Sequence, residues 1–189
     1  MSLEAKTHYN LKNTIASYLF ILVPALIFSQ QKSKEGRIIS EYGKTYEVVN
    51  PDFKTNKQQN LKAVFDVGRT FKDSSKVNPL FNTAARYLNM HDAAGVPLKN
   101  LKVALVVHGS AANDLLNDSK YKIKYGIDNP NTPLLSALSE KGVQIILCGQ
   151  TAAYRNITRQ DALPQVQFAL SAMTALVQLQ NQDYRLINF

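Results

Sequence analysis

The 189-residue chain holds a single cysteine, so no disulfide can close within it. The same scarcity removes CxxC redox pairs and cysteine-based zinc fingers. A GxGxxG turn, a P-loop and a GxSxG elbow are also missing. Dinucleotide binding, phosphate-loop chemistry and a hydrolase serine therefore lack their usual marks. The net charge is +8, yet the lysines are scattered (Lys54, Lys57, Lys62, Lys72, Lys76, Lys99, Lys102, Lys120, Lys122, Lys124), with no dense run and no Arg-rich helix. This pattern reads as a solvated basic surface, and no nucleic-acid partner is expected. No cofactor or metal site is expected either: His8 and His91 carry no ligand spacing, and Asp66 and Asp73 read as turn residues.

A long hydrophobic run is absent too. Ile15 to Phe28 carries no charge but falls short of the roughly 20 residues a spanning helix needs, and Pro24 interrupts it. Lys12 precedes the run, and Ser29, Gln30 and Gln31 follow it. Residues 12–29 thus read as a secretory leader cut between about 28 and 31, which places the mature protein in the periplasm or outside the cell. A buried core helix and an uncleaved anchor are the other readings, and membrane attachment is expected only through such an uncleaved leader. No cysteine follows the run, so a lipid-modified anchor is not expected.

Hydrophobic residues make up 45% of the chain and charged residues 19%, enough apolar material for one core. Three parts are expected: the leader over 1–30, a polar arm over 31–60, and an α/β domain over 61–189. The arm is Lys- and Gln-rich, with a weak apolar patch at Tyr46, Val48 and Val49, and has room for one edge strand at most. From Leu61 onward the patterns sharpen. Alternation over 61–68 predicts a strand. Asn78-Pro79 opens a helix with one apolar face, stopped by Gly95 and Pro97. The run LKVALVV at 101–107 suits a strand buried on both faces. A short helix at 111–117, a helix from Thr132-Pro133 to Gly142, and a strand at 143–148 follow. Further strands are expected near 165–169 and at 184–187, on either side of a helix over 171–181 capped by Ser171. Strand–helix alternation implies a short, mostly parallel sheet with helices on both faces, Rossmann-like and three-layered.

Ligands of such sheets gather at the C-terminal strand ends. His108 follows the second strand and Cys148 ends the third. A thiolate at Cys148 would be favoured by backbone N–H groups of a following turn and by nearby cations. Gly149 allows close backbone approach, Arg155 is within reach if 150–156 coils, and His108 stands on the adjacent strand. Such a site suits a persulfide, a mixed disulfide or a small anion. The other reading is a core thiol, since cysteine is among the most buried residue types.

The segments LKVALVVHGSAANDLL, QIILCGQTAAYRNI and ALSAMTALVQLQNQDYRLI, in this order, resemble the DsrE/DsrF-like family over roughly residues 61–189. The marks are VVHG at 106–109, GV at 142–143, CGQ at 148–150 with Arg155, and LQ followed by a tyrosine near the end. The resemblance implies a small α/β domain assembling as a homo-oligomer, a trimer or hexamer. It also implies a role known for some members: a cysteine at the Cys148 position accepts sulfur as a persulfide and passes it on. The partner would then be a sulfur donor or acceptor protein, or a small sulfur species. The competing expectation is a non-catalytic oligomeric module that binds a small ligand or partner, with Cys148 structural.

Overall fold

A computed structural model describes residues 32–188; the expected leader at 12–29 lies outside the described residues. The chain forms β1 (Leu61–Val67), α1 (Pro79–Ala93), β2 (Leu101–Val107), α2 (Asp118–Tyr125), α3 (Thr132–Glu140), β3 (Gln144–Cys148), α4 (Gly149–Tyr154), β4 (Val166–Ala169), α5 (Ala172–Asn181) and β5 (Arg185–Ile187). All neighbouring strands run parallel in the order β4-β3-β2-β1-β5. Two elements escaped the sequence patterns. The expected helix at 111–117 is a 3-10 segment over Gly109–Leu115 with α2 directly after it. The turn expected after Cys148 is α4, only six residues long. Helices this short show no apolar period.

Residues of one strand alternate between the sheet faces. One face carries Ala63, Phe65, Val67, Leu101, Val103, Leu105, Val107, Ile145 and Leu147 and is buried with Phe81, Leu88, Leu134, Leu135 and Leu138 of α1 and α3. The other carries Val64, Ala104, Val106, Ile146 and Cys148 beneath Ala172, Ala175 and Leu179 of α5. The second layer is a single helix. Caps fix where the helices begin: Asn78 accepts from Leu80 N–H, Asn117 from Lys120 N–H and Ser171 from Thr174 N–H.

The stretch read as an extended arm is folded onto α1. Lys34 and Thr45 exchange both backbone bonds, at 2.7 and 2.9 Å, which closes a loop rather than adding a strand to the sheet. Inside that loop Ile39 is buried, and the Asn89 side chain of α1 accepts Ile39 N–H and donates to the carbonyls of Ile39, Tyr42 and Gly43. The apolar patch expected at Tyr46, Val48 and Val49 is exposed. Two asparagines of α1, Asn89 and Asn82 (which accepts Gly43 N–H at 2.8 Å), anchor the segment together with the buried Ile39. Among the described residues no helix is long and apolar enough to cross a membrane.

Candidate functional site

The C-terminal edge of the sheet carries three chemically versatile side chains on the α5 face. Asp66 lies two residues past Val64, His108 two past Val106, and Cys148 two past Ile146, so alternation puts all three on the side covered by α5. Val107 pairs with Leu147, so His108 and Cys148 each follow directly on a paired residue at the ends of adjacent strands. The His108 ring Nε2 lies 2.8 Å from Asp66 Oδ1. The ring sits over Gly68, where an added Cβ would fall 2.8 Å from Cε1.

Cys148 is 6% exposed, beneath the start of α5. Burial pushes its thiol up, but hydrogen bonds from the Thr151 hydroxyl and from the backbone N–H groups of Thr151, Ala172 and Gln150 outweigh that effect and bring it below the ordinary thiol value. These donors follow from helix geometry. Gln150 and Thr151 are in the first turn of α4, and Ala172 opens α5, so their N–H groups have no partner within their own helices. Ser171 accepts from Thr174 N–H at 3.0 Å and leaves Ala172 N–H to the sulfur. Thr151 Oγ1 also accepts Gly109 N–H at 3.3 Å, which leaves its own proton to donate toward the sulfur. Thr151→Val should therefore shift the midpoint of Cys148 alkylation to higher pH and slow the reaction several-fold at neutral pH. A pH series with iodoacetamide and intact-mass readout checks this; an unmoved midpoint would remove Thr151 from the site.

The residues expected at the site are only partly brought together. His108 ends the strand next to that of Cys148, but its ring is turned to Asp66, and the groups acting on the thiol are Thr151, Ala172 and Gln150. Gly149 has a steric role: a Cβ there would collide with the Ala169 carbonyl oxygen, so the missing side chain lets the β4–α5 connection close over the cysteine. Arg155 ends α4 and turns toward Tyr125 of α2, whose hydroxyl burial and Asp114 push up while the guanidinium pulls it down. Its Nε is buried without a hydrogen-bond partner. Asp73 is a turn residue as expected, accepting from Ser75, whereas Asp66 is the partner of His108. The signals that mark the overlooked residues are slight. Asp66 is one polar residue in an otherwise apolar strand, and Thr151 is a hydroxyl three residues past a strand-end cysteine. Ala172 acts through its backbone and leaves no sequence trace. Among the described residues no group of three His, Cys, Asp or Glu side chains is placed to hold a metal ion.

Comparison with solved structures agrees with this architecture. A protein of unknown function, MTH1491 from Methanobacterium thermoautotrophicum, is 19% identical, with a TM-score of 0.51, over 68% of this chain and 99% of that one. The ychN protein from E. coli gives the same values: 19% identity, a TM-score of 0.51, and 68% and 99% of the two chains. At this identity the likeness is one of fold. No curated protein matches the chain. The family model described as DsrE/DsrF-like matches residues 62–189, which takes in every strand except the first residue of β1 and all of the candidate site, and the chain belongs to the DsrE/DsrF-like family.

Proposed function

We propose that this protein is an exported sulfur carrier that holds sulfur as a persulfide on Cys148. One observation carries the reading: the lone cysteine stands at a parallel-sheet edge where a hydroxyl and three backbone N–H groups favour its thiolate. A thiolate is the form that attacks a sulfane sulfur, and the same donors steady the charge of a bound persulfide. Export rests on the leader-like residues 12–29. Periplasmic fractionation with N-terminal sequencing of the mature chain tests it; recovery in the cytosol with Met1 retained would refute it. The carrier reading is tested by intact-mass analysis after polysulfide treatment. One added sulfur atom, lost on reduction, is expected on the native protein.

The second reading, a binding module with a structural cysteine, is favoured by the 6% exposure of Cys148. A protein that takes up no sulfur and alkylates only when unfolded would support it.

Either reading includes self-association. Leu170, Met173 and Val177 are 73%, 75% and 56% exposed at the start and along one flank of α5, the helix that alone covers its face of the sheet. We assign this apolar flank to contact with a second copy in a trimer or hexamer. Met173→Glu should reduce the assembly to monomers by size-exclusion chromatography with light scattering, while changing protomer stability by no more than about 0.5 kcal/mol. A wild-type protein that is already monomeric at high concentration would refute the assignment.

A further inference from the structure

We infer that Gly109 is a positioning residue for Cys148: a seam joining the exits of β1 and β2 aims its backbone N–H at Thr151, and so turns the Thr151 hydroxyl toward the sulfur. The thiolate is then set from the neighbouring strand end, by residues that do not touch it. The consequence for sulfur uptake rests on the carrier reading of Cys148; the positioning itself does not.

The seam continues the pairing of the two strands past their ends. Val67 and Val107 are the last paired residues of β1 and β2. Beyond them His108 N–H donates to the Val67 carbonyl at 3.0 Å, and Ser110 N–H donates to the Gly68 carbonyl at 3.1 Å. Thr70 N–H returns a bond to Ser110 Oγ at 3.0 Å. The Thr70 hydroxyl donates to Asp114 at 2.8 Å, and Asn78 Nδ2 donates to the same carboxylate at 2.8 Å and to the Arg69 carbonyl at 3.0 Å. Asp114 is buried, so the loop after β1 is pinned at a fixed point. His108 Nε2 and Asp66 Oδ1, 2.8 Å apart, tie side chains of the same two strands.

Backbone geometry then decides where Gly109 points. His108 is extended, with φ −150° and ψ −170°, and extended backbone turns successive N–H groups to opposite edges of the strand. The N–H of His108 goes to β1, so that of Gly109 faces the β3 side, where Thr151 Oγ1 accepts it at 3.3 Å. A side chain does not fit at this position. The φ of Gly109 is +56°, and an added Cβ would fall 2.4 Å from the Gly68 carbonyl oxygen, the same oxygen that accepts Ser110 N–H. A threonine hydroxyl has one proton and two lone pairs. In a helix it can turn that proton to a carbonyl of the preceding turn. With Gly109 N–H on one lone pair, the Thr151 proton is held toward Cys148 instead.

Gly109→Ala should raise the pH at which the thiolate absorbs in the ultraviolet, with Cys148→Ser as the blank, and should slow alkylation several-fold at neutral pH. Thr151→Val should do the same, and the double variant should go no further than Thr151→Val alone, because both changes break one chain of bonds. An unmoved midpoint in Gly109→Ala, or two effects that add in full in the double variant, would overturn the assignment. The wild-type protein supplies a test that does not depend on Gly109→Ala folding. In an isotope-labelled sample the Gly109 amide resonance should shift at the pH where the thiolate absorbance appears, and Cys148→Ser should remove that step. A Gly109 amide with no step at that pH, or a step that survives in Cys148→Ser and so belongs to His108 or Asp66, would overturn the assignment. A wild-type protein whose amide and thiolate midpoints agree but which takes up no sulfur would end the carrier reading and leave Gly109 in this role.

Discussion

Cys148→Ser abolishes sulfur uptake: after polysulfide treatment and removal of excess reagent, the variant keeps its starting mass while the wild-type chain gains one sulfur atom that a reductant removes. The contrast is expected to be complete because the chain has no other cysteine to substitute for it. A serine hydroxyl in the same place receives the same donors from Thr151, Ala172 and Gln150, but an alcohol is too weak an acid to ionise there, and its oxygen does not form a stable link to sulfane sulfur. The fold should persist, since the substitution replaces one sulfur by a smaller oxygen at the edge of the smaller core and adds no bulk; thermal melting of both proteins checks this. The pH course follows from the direction of the thiol's shift. Its donors hold it below the ordinary value, so loading rises with pH in a range where a plain thiol is still protonated, and falls away as acid restores the thiol. An uptake that persists in Cys148→Ser would place the chemistry elsewhere and end the carrier reading.

Asn89→Ala should cost about 3 kcal/mol, since it strands several buried polar groups at once, each worth roughly 1–3 kcal/mol when unsatisfied. The side chain is 1% exposed, accepts Ile39 N–H at 2.9 Å and donates to three carbonyls between 2.8 and 3.1 Å away. At roughly 2–4 °C per kcal/mol for a chain of this size, the melting temperature should fall by about 6–12 °C. Residues 37–45 should become sensitive to protease at the same time, because the loop loses its anchor on α1. Asn89→Asp separates the two halves of the anchor: it keeps an acceptor for Ile39 N–H but loses the donor to the carbonyls and brings a buried charge. Its cost should equal or exceed that of the alanine variant. A melting temperature within a degree or two of wild type in both variants would mean that the loop is held some other way.

The two predictions mark where reading along the chain succeeds and where it stops. The sheet was legible because each strand announces itself within its own few residues. LKVALVV is apolar on both faces and must lie inside, VQIILC ends in the cysteine, Asn78 and Ser171 start helices with local cap bonds, and Pro133 stands in the first turn of α3. Alternation of strands and helices then implies parallel strands, and parallel strands imply a site at their C-terminal ends. His108 and Cys148 were found in that way. The arm was less legible: its apolar residues at Tyr46, Val48 and Val49 are exposed, and it is held by buried Ile39 and by asparagine side chains of α1 some forty to fifty residues further along the sequence.

By itself, then, the sequence determined the parallel α/β class, the main strands and helices, and the position of Cys148 and His108 at adjacent strand ends, since all of these follow from local periodicity and caps. Tertiary structure alone decided what surrounds the sulfur. Ala172 N–H reaches Cys148 because α5 packs across the sheet, Thr151 faces the sulfur because Gly109 fixes its hydroxyl, Asp66 becomes the partner of His108 because β1 lies beside β2, and Arg155 turns away toward Tyr125. The physical reason is that hydrogen bonds between elements depend on the register and packing of segments far apart in sequence, and a backbone N–H is the same in every residue that has one.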